Sequence, residues 1–263
     1  MRGENKMKSK IIKITLMALV ISLALAGNSK ADCDEMSWYC IRSGNCQPRV
    51  TKEEMMISKY NGYALDRKVS DESDRRVIYL TFDTGYENGN VEKIVDTLDN
   101  NGIKGAFFLL DNIILKNTDL VKKMHEGGHL ICNHTRNHKN LSGSSLDEIR
   151  NDLSALEKIC EEHAGITMSK YFRFPEGKYS EKSLRCVSDL GYKTIFWSFA
   201  YDDWDNGRQM NEEAAINKII SNTHNGSIIL LHPTSKTNAD IMQRLIDAWR
   251  DMGYEFGTLD MLE

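Results

Sequence analysis

Three segments of this sequence carry side chains that could move protons or hold a metal ion. Asp83 follows a mostly apolar run and precedes a glycine turn, so its carboxylate could be a general base or a ligand. His134 and His138 are four residues apart, and one loop or helical turn can aim both imidazoles at a single ion such as Zn²⁺. His232 ends another apolar run, and histidine is the natural proton donor near neutral pH.

Two further segments hold side chains that could assist such groups. Arg173 begins the sequence Arg-Phe-Pro-Glu-Gly and could pair with a carboxylate, which would fix the orientation and charge of that carboxylate. Asp203 lies in an acidic cluster beside Trp204. This combination suits a sugar site, because the indole ring is a platform for a sugar and the acid is a partner for a base.

Each segment also has an ordinary structural interpretation. Asp83 could cap the next turn, Arg173 could lie at the surface, and the acids around Asp203 could simply be solvated. His134 and His138 could be exposed loop residues. His232 could be a hydrogen-bonded histidine in the core. The common placement of the five segments at strand ends is what favours chemistry.

The elements that would position these segments begin at residue 76. β-rich runs predict strands over 77–82, 105–110, 129–132, 171–174, 194–199, 227–231 and 254–257. Helical patterns lie between them, over 91–100, 118–126, 145–163, 180–190, 211–222 and 239–252. Strands that alternate with helices predict an α/β fold with a mainly parallel sheet covered on both faces.

The five segments favour a deformed, incomplete β/α barrel over an open doubly wound sheet. Asp83, His134, Arg173, Asp203 and His232 each come at or just after the C-terminal end of a different predicted strand. In a barrel those ends converge on one mouth, whereas an open sheet gathers only the residues beside its switch point. We therefore expect about seven parallel strands around a mouth that holds the site.

The first 31 residues have the layout of a signal peptide. Four lysines between positions 6 and 13 precede an apolar run over 14–26, and small residues at 29 and 31 offer a cleavage site before Asp32. We expect an exported protein, with an uncleaved membrane anchor as the alternative. The predicted organisation is a signal peptide at 1–31, an irregular arm packed on the domain at 32–75, and the main domain at 76–263.

Composition limits the classes of function. The 263 residues are 41% hydrophobic and 27% charged, which indicates a globular protein and excludes collagenous, coiled-coil and mostly disordered classes. Without residues 1–31 the chain has 28 basic and 37 acidic residues, a net charge of −9. This charge argues against nucleic acid or an anionic membrane as a ligand, so membrane contact is expected only through an uncleaved signal segment.

The six cysteines fall into two groups. Cys33, Cys40 and Cys46 crowd the arm, where one disulfide could form. The other three, at positions 132, 160 and 186, fall inside predicted elements and are expected to be small buried residues. The sequence has no Cys-x-x-Cys motif, so it does not support a zinc ribbon or a thioredoxin-like site.

Taken in order, the five segments resemble the five motifs of the polysaccharide deacetylase family, also called the NodB-homology domain. The matching motifs are Asp83-Thr84-Gly85, His134 with His138, residues 173–177, Asp203-Trp204 and Leu231-His232, and the resemblance covers residues 76 to 263. Finer features resemble the sporulation branch, which deacetylates N-acetylmuramic acid in peptidoglycan and leads to muramic δ-lactam in spore cortex. These features are TFDTGYENGN at 81–90, residues 197–200, TSKTNA at 234–239, and an arm with Trp38, Arg42 and Gln47-Pro48.

The resemblance implies a metal-assisted hydrolysis of an N-acetyl group on an amino sugar. His134 and His138 would hold a divalent metal, expected to be Zn²⁺. Asp83 would be the base that deprotonates water, and His232 the acid that protonates the departing amine. Arg173 would orient Asp83, Asp203 would pair with His232, and substrate contacts are expected from Trp204, Pro175 and Tyr179.

Two positions depart from the usual family pattern. The family's second aspartate, a metal ligand, is replaced by Thr84, so the metal is expected to bind weakly; Cys132 is a less favoured substitute ligand. An acid common in the fourth motif is replaced by Ala200, and the sporulation branch shares both departures. Peptidoglycan glycan strands are the expected partner. The alternatives are a deacetylase of polymers containing N-acetylglucosamine and a catalytically silent glycan-binding module.

Overall fold

The alternation of strands and helices from residue 76 onward produces a curled parallel sheet, as the sequence predicts. The computed structural model describes residues 34–262. Its strands are β1 (Met36–Ser37), β2 (Gly62–Tyr63), β3 (Val77–Thr84), β4 (Ala106–Leu109), β5 (Leu130–Asn133), β6 (Tyr171–Phe172), β7 (Lys178–Tyr179), β8 (Lys193–Ile195), β9 (Ser227–Leu231) and β10 (Glu255–Gly257). All seven predicted strands form, some of them shorter than predicted, and β7 is a further strand after residue 76 that was not predicted.

The main sheet has the order β10-β3-β4-β5-β6-β8-β2, and β9 also pairs with β3. Every strand pair in this sheet is parallel. The sheet closes onto β9 through two isolated bridges, in which Phe199 pairs with Ile229 and Leu65 pairs with Ser227. The result is a deformed barrel with a weak seam between β8 and β9, which confirms the predicted fold class.

Helices cover the outside of the barrel. They are α1 (Lys52–Lys59), α2 (Asn90–Asn100), α3 (Asp111–Lys116), α4 (Thr118–Glu126), α5 (Leu146–Ala164), α6 (Glu181–Asp189), α7 (Glu212–Ile220) and α8 (Lys236–Asp251), with short 3-10 helices at Pro175–Gly177 and Leu259–Leu262. Two predicted start signals are present as capping boxes, Ser145 with Glu148 and Ser180 with Ser183. These caps place α5 and α6 directly after loops that carry site residues.

Successive side chains of β3 point to opposite faces of the sheet and so belong to two different hydrophobic cores. Ile78, Leu80 and Phe82 pack outward with the helices, whereas Val77 and Tyr79 pack inside the barrel. Thr81 and Asp83 continue the inward positions of Val77 and Tyr79 to the end of β3. The strand therefore places the Asp83 carboxylate at the barrel mouth, while the apolar side chains before it anchor the backbone.

The structure corrects the sequence prediction at three places. Residues 34–75 are not an irregular arm throughout, because they include α1 and β2, and β2 adds a strand beside β8. The helix α3 was not predicted. The predicted strands over 171–174 and 194–199 end early, at Phe172 and Ile195, and the carbonyls of Ile195 and Phe196 accept hydrogen bonds from Arg173.

The cysteine predictions are partly confirmed. Cys132 and Cys160 are fully buried and Cys186 is 5% exposed, as expected for small core residues. Cys40 and Cys46 are free thiols, so they do not form a disulfide with each other. Cys33 and the predicted signal peptide lie outside the described residues. Within residues 34–262, no helix is long and apolar enough to cross a bilayer.

Gly226 holds the start of β9 against the segment that follows β2. Its carbonyl accepts from the Asp66 backbone N–H at 2.8 Å, and its own N–H donates to the Val77 carbonyl at 2.8 Å. Its φ is +74°, and a Cβ atom there would lie 2.4 Å from the Asp66 carbonyl oxygen. Both the left-handed backbone and the close approach therefore require glycine.

We expect Gly226→Ala to destabilise the fold by about 3 kcal/mol, because left-handed strain adds to overpacking against backbone. Gly191→Ala is the matched control, since φ is +81° there but no atom lies within 4 Å of the added Cβ. The control should cost only about 1 kcal/mol, from strain alone. Urea unfolding of both variants measures the difference, and equal losses would disprove the close approach at Gly226.

Candidate active site

A fully buried arginine forms an ion pair with the candidate base at the barrel mouth. Arg173 has no exposed surface, and its Nη1 donates to Asp83 Oδ1 at 2.7 Å. Its Nη2 donates to Thr81 Oγ1 at 2.9 Å, and its Nε donates to the Ile195 carbonyl at 2.9 Å. The Phe108 ring centroid lies 4.2 Å from the guanidinium carbon. Arg173 is therefore fixed by several contacts, and Asp83 supplies the opposite charge.

The surrounding charges keep Asp83 ionised. Burial alone would raise the pKa of Asp83, but Arg173 and the nearby His134 and His232 together bring this pKa below its usual value. The Asp83 side chain keeps 10% of its surface exposed at the mouth. Asp83 is thus a carboxylate at neutral pH that a ligand in the mouth can reach.

His134 presents a neutral nitrogen with a free lone pair to the same space. Its Nδ1 lies 2.8 Å from the Arg173 carbonyl oxygen, which can only accept, so Nδ1 carries the proton. Burial lowers the pKa of His134 to about 4, so the ring is neutral at physiological pH. Its Nε2 is buried without a hydrogen-bond partner in the described part of the chain and lies 3.5 Å from Asp83 Oδ2.

The loop after β5 brings His138 beside His134 through a strained backbone. The two imidazole centroids are 5.0 Å apart. Thr135 and His138 have φ values of 68° and 61°, a region that costs energy for residues other than glycine. The Asn133 side chain holds the start of this loop, because its Oδ1 accepts from the Thr135 backbone N–H at 3.0 Å.

A second ion pair stands at the ends of β8 and β9. Asp203 is 2% exposed; its Oδ1 lies 2.7 Å from His232 Nδ1, and its Oδ2 accepts from the His232 backbone N–H at 2.8 Å. Burial would lower the pKa of His232, but the charge and hydrogen bond of Asp203 raise it above its ordinary value. His232 therefore carries a proton more readily than a free histidine does.

A buried amide orients Asp203. Asn238 in the first turn of α8 is fully buried, and its Nδ2 donates to Asp203 Oδ2 at 2.7 Å. The Tyr201 hydroxyl donates to Asn238 Oδ1, which fixes the direction of the amide. This chain of contacts holds the carboxylate in one orientation under the His232 ring.

The polar atoms at the mouth fit a divalent cation. The lone pair of His134 Nε2 faces the Asp83 carboxylate, and two acceptors so close repel each other unless a cation or proton lies near them. Thr84 Oγ1 is also buried and without a partner among the described residues. In the same range, residues 34–262, no three side chains of His, Cys, Asp or Glu come together as a metal-binding group. The donors that the structure brings side by side are therefore the imidazoles of His134 and His138.

Cys132 is not part of this group. It lies in the barrel interior with Phe108 and Ile195, and burial raises the pKa of its thiol well above the ordinary value. A thiol that resists deprotonation is a poor ligand. The structure therefore does not support Cys132 as a substitute for the missing carboxylate.

The structure separates the three residues expected to contact substrate. Trp204 is 64% exposed beside Asp203 and can offer its ring to a sugar. Pro175 and Tyr179 are buried, and Tyr179 packs against Phe196 with ring centroids 5.1 Å apart. The turn after Arg173 buries both side chains, so the structure offers neither of them to a glycan, and direct contact by Pro175 and Tyr179 stays a prediction.

Sequence reasoning missed several residues that support the site. Thr81, Asn133 and Asn238 each hold a site residue through a side-chain hydrogen bond. Asn133 could have been identified from the sequence, because it is a polar residue at the end of an apolar strand. Asn238 could have been identified as well, because it lies on the apolar face of a helix, where a buried amide requires a polar partner.

Comparison with known proteins places the chain among carbohydrate deacetylases. A model of the polysaccharide deacetylase family matches residues 70–195. An uncharacterised 30.6 kDa protein of Geobacillus stearothermophilus is 36% identical over 86% of this chain and 84% of its own length. The peptidoglycan-N-acetylmuramic acid deacetylase PdaA of Bacillus subtilis is 33% identical over 87% of this chain and 86% of its own length.

The structure of PdaA, a family 4 carbohydrate esterase, matches with a TM-score of 0.81 over 87% of this chain and 97% of that chain. A peptidoglycan-N-acetylglucosamine deacetylase of Bacillus cereus is 31% identical over 69% of this chain and 66% of its own length. This chain therefore belongs to the polysaccharide deacetylase family and is a carbohydrate deacetylase, a hydrolase of N-acetyl amide bonds.

Proposed function

We propose that this enzyme removes the acetyl group from N-acetylmuramic acid in peptidoglycan, the step that leads to muramic δ-lactam in spore cortex. The observation that carries the proposal is the pair of opposed ion pairs at the mouth, Arg173 with Asp83 and Asp203 with His232. They supply a carboxylate base and a protonated acid at the same pH. The likeness to PdaA over most of both chains supports muramic acid as the sugar.

In the proposed mechanism, Asp83 is the base. Its lowered pKa keeps it ionised, and its Oδ2 is free of Arg173 and faces His134 at 3.5 Å. A water molecule bound beside Oδ2 can pass its proton to that oxygen while its own oxygen attacks the acetyl carbonyl carbon. Arg173 is a positioning residue, because it binds the other oxygen and holds the carboxylate in place.

His232 is the proposed acid. Its Nδ1 is held by Asp203, so Nε2 is the nitrogen that can give a proton to the departing amine. The side chain is 26% exposed, so substrate can reach it. An amine leaves poorly without protonation, and a histidine with a raised pKa is suited to provide that proton.

We propose that His134 and His138 hold a divalent cation, with Thr84 as a further neutral donor. A cation there would place positive charge beside the acetyl oxygen and acidify water. His134 is prepared for this role, because its pKa of about 4 keeps Nε2 unprotonated and the Arg173 carbonyl fixes the tautomer. His138 joins it only because the loop accepts a left-handed backbone.

Three further assignments belong to the same proposal. Residues 1–31 are a cleaved signal peptide, so the enzyme acts outside the cytoplasmic membrane, and N-terminal sequencing of exported protein tests the cleavage near Asp32. Residues 32–75 form the arm, and residues 76–263 form the deacetylase domain. Trp204 contacts the glycan.

Mass spectrometry of digested peptidoglycan after incubation with the enzyme tests the proposed reaction. Loss of acetyl groups from muramic acid, followed by lactam, is the expected result. Loss of acetyl groups from glucosamine or chitin oligosaccharides instead would favour the glucosamine alternative. Binding of glycan without any loss of acetyl groups would favour the silent glycan-binding module.

Asp83→Asn and His232→Ala should each lower turnover by roughly two to four orders of magnitude, the usual contribution of positioned proton transfer. Asp83→Asn should also lower the free energy of unfolding by about 3 kcal/mol, because Arg173 stays buried without a counter-charge. Folding should survive, since Arg173 keeps its contacts with Thr81 and Ile195. Circular dichroism confirms folding, and near-normal turnover in a folded variant would contradict the assigned role.

Asp203→Asn should lower the pKa of His232, because burial remains while the negative charge that opposes it is lost. The protonated fraction at neutral pH then falls, and the alkaline limb of kcat/KM moves to lower pH. Asp202→Asn is the matched control, since Asp202 is an exposed acid one residue away. NMR titration of His232 measures the shift, and an equal pKa in both variants would show that Asp203 does not set it.

Thr84→Asp should tighten Zn²⁺ binding, because a carboxylate brings a negative charge that two imidazoles and a hydroxyl lack. Calorimetric titration of metal-stripped native and variant proteins measures the change. His134→Ala should abolish binding in the same assay. Equal affinity of native and Thr84→Asp protein would show that the Thr84 side chain does not face the ion.

A further inference from the structure

The described part of the N-terminal arm contacts three of the loops that carry site residues. We use the name strap for residues 35–42 of this arm. The strap runs past the loop after β5, the turn after β6 and the segment after β8. None of its side chains belongs to the acid, base or cation group described above. Its contacts are nevertheless made directly to the backbones and side chains that determine where those groups lie.

Glu35 holds the loop that carries His138. One carboxylate oxygen of Glu35, Oε2, accepts from Asn140 Nδ2 at 2.7 Å and from Ser142 Oγ at 2.6 Å. The Ser142 carbonyl in turn accepts from Ser180 Oγ at 2.7 Å, which ties the loop to the start of α6. The hydrogen bonds from Ser142 and Asn140 lower the pKa of Glu35, so it is ionised and accepts both bonds as a carboxylate.

The His138 loop needs this support because its backbone is strained. His138, two residues before Asn140, has φ of 61°, and Thr135 has φ of 68°. The part of the loop before Asn140 is held by Asn133 and by the Thr135 hydroxyl, which accepts from the Lys139 backbone N–H at 3.1 Å. Glu35 holds the part that follows, through Asn140 and Ser142. A strained loop keeps its conformation only when its surroundings fix it from both sides.

Trp38 holds the turn that follows Arg173. Its backbone N–H donates to the Gly177 carbonyl at 2.8 Å, and its Nε1 donates to the Trp197 carbonyl at 2.9 Å. A Cβ atom at Gly177 would lie 3.2 Å from Trp38 Cβ and 2.9 Å from the Trp197 ring. The strap is therefore packed tightly against the two segments that flank Arg173.

Arg42 reaches the segment that leads to Asp203. Its Nη2 donates to the Ala200 carbonyl at 3.0 Å, and its guanidinium lies 5.8 Å from the Phe199 ring centroid. Phe199 forms one of the two bridges that close the barrel onto β9. The strap thus meets the seam of the barrel at the point where the chain turns toward Asp203.

We propose that the strap is a positioning element of the active site, and that Glu35 is the residue through which it sets the cation-binding loop of His138. This proposal rests on the proposed function, since it assigns His138 to the cation. Without the Glu35 carboxylate, the loop loses two hydrogen bonds that oppose relaxation of its left-handed residues. His138 then spends less time beside His134, and both cation affinity and turnover fall.

Glu35→Ala, Glu35→Gln and Glu126→Ala test the proposal in the whole purified protein. Glutamine keeps an oxygen that can accept from Asn140 and Ser142, so it should restore what alanine loses. Glu126 is an exposed glutamate at the end of α4 and is the matched control. The measurements are amide hydrogen exchange of residues 135–144, calorimetric Zn²⁺ affinity, and kcat/KM on peptidoglycan fragments.

Glu35→Ala should exchange faster in residues 135–144, with no change in α8, and should bind Zn²⁺ roughly tenfold more weakly, the scale of a lost outer contact around a metal ligand. Turnover should fall with cation affinity, while Glu35→Gln and Glu126→Ala should resemble the native enzyme. Native exchange or native Zn²⁺ affinity in Glu35→Ala would overturn the proposal. So would faster exchange with unchanged affinity and kcat/KM, because the contact would then be only structural.

The assay separates this proposal from the proposed function. If native protein releases no acetyl from peptidoglycan, the function is wrong, and exchange together with Zn²⁺ affinity still decides whether the strap positions the loop. If native protein is active and Glu35→Ala equals it in all three measurements, the strap proposal alone fails. Trp38→Phe adds an independent variant, since it removes the bond to the Trp197 carbonyl but keeps an aromatic ring.

Discussion

The buried guanidinium of Arg173 is the interaction on which the rest of the site depends. A charge without exposed surface costs several kcal/mol in lost hydration unless it is paired and hydrogen-bonded. Asp83 supplies the counter-charge, and the Ile195 and Phe196 carbonyls and the Thr81 hydroxyl supply acceptors. The end of β8 therefore turns its last carbonyls toward the guanidinium. The same arginine that keeps Asp83 ionised thus also binds the backbone at the edge of the barrel seam.

The barrel mouth holds one buried negative group and one buried positive group, and each belongs to a separate ion pair. Asp83 must stay ionised although burial opposes its charge, and His232 must accept a proton although burial opposes that charge as well. Each receives a buried partner of opposite sign, Arg173 for the proposed base and Asp203 for the proposed acid. Because His134 lies against the same carboxylate without a charge of its own, its nitrogen remains free for a cation.

The sequence predicted the parts of this molecule that depend on periodicity and on strand ends. Seven of the eight strands after residue 76 followed from apolar patterns, and the convergence of the five motifs followed from parallel topology. Shorter features did not follow. β7 and α3 are too short to show a period, and β2 and α1 depend on packing between distant segments. The burial of Tyr179 and Pro175 depends on the turn after Arg173, where Glu176 and Gly177 are both left-handed.

Strain in this protein is concentrated where the chemistry is placed. Within residues 34–262, four residues other than glycine have left-handed φ values, and Thr135, His138 and Glu176 stand in loops that carry the site. The barrel strands tolerate such loops because their apolar faces are anchored on both sides of the sheet. Each strained turn is also bound from outside its own loop: by Asn133 and Glu35 around His138, and by Trp38 at Gly177. The arm therefore adds contacts to these strained loops that the barrel by itself does not supply, which is the physical basis of the positioning role proposed for it.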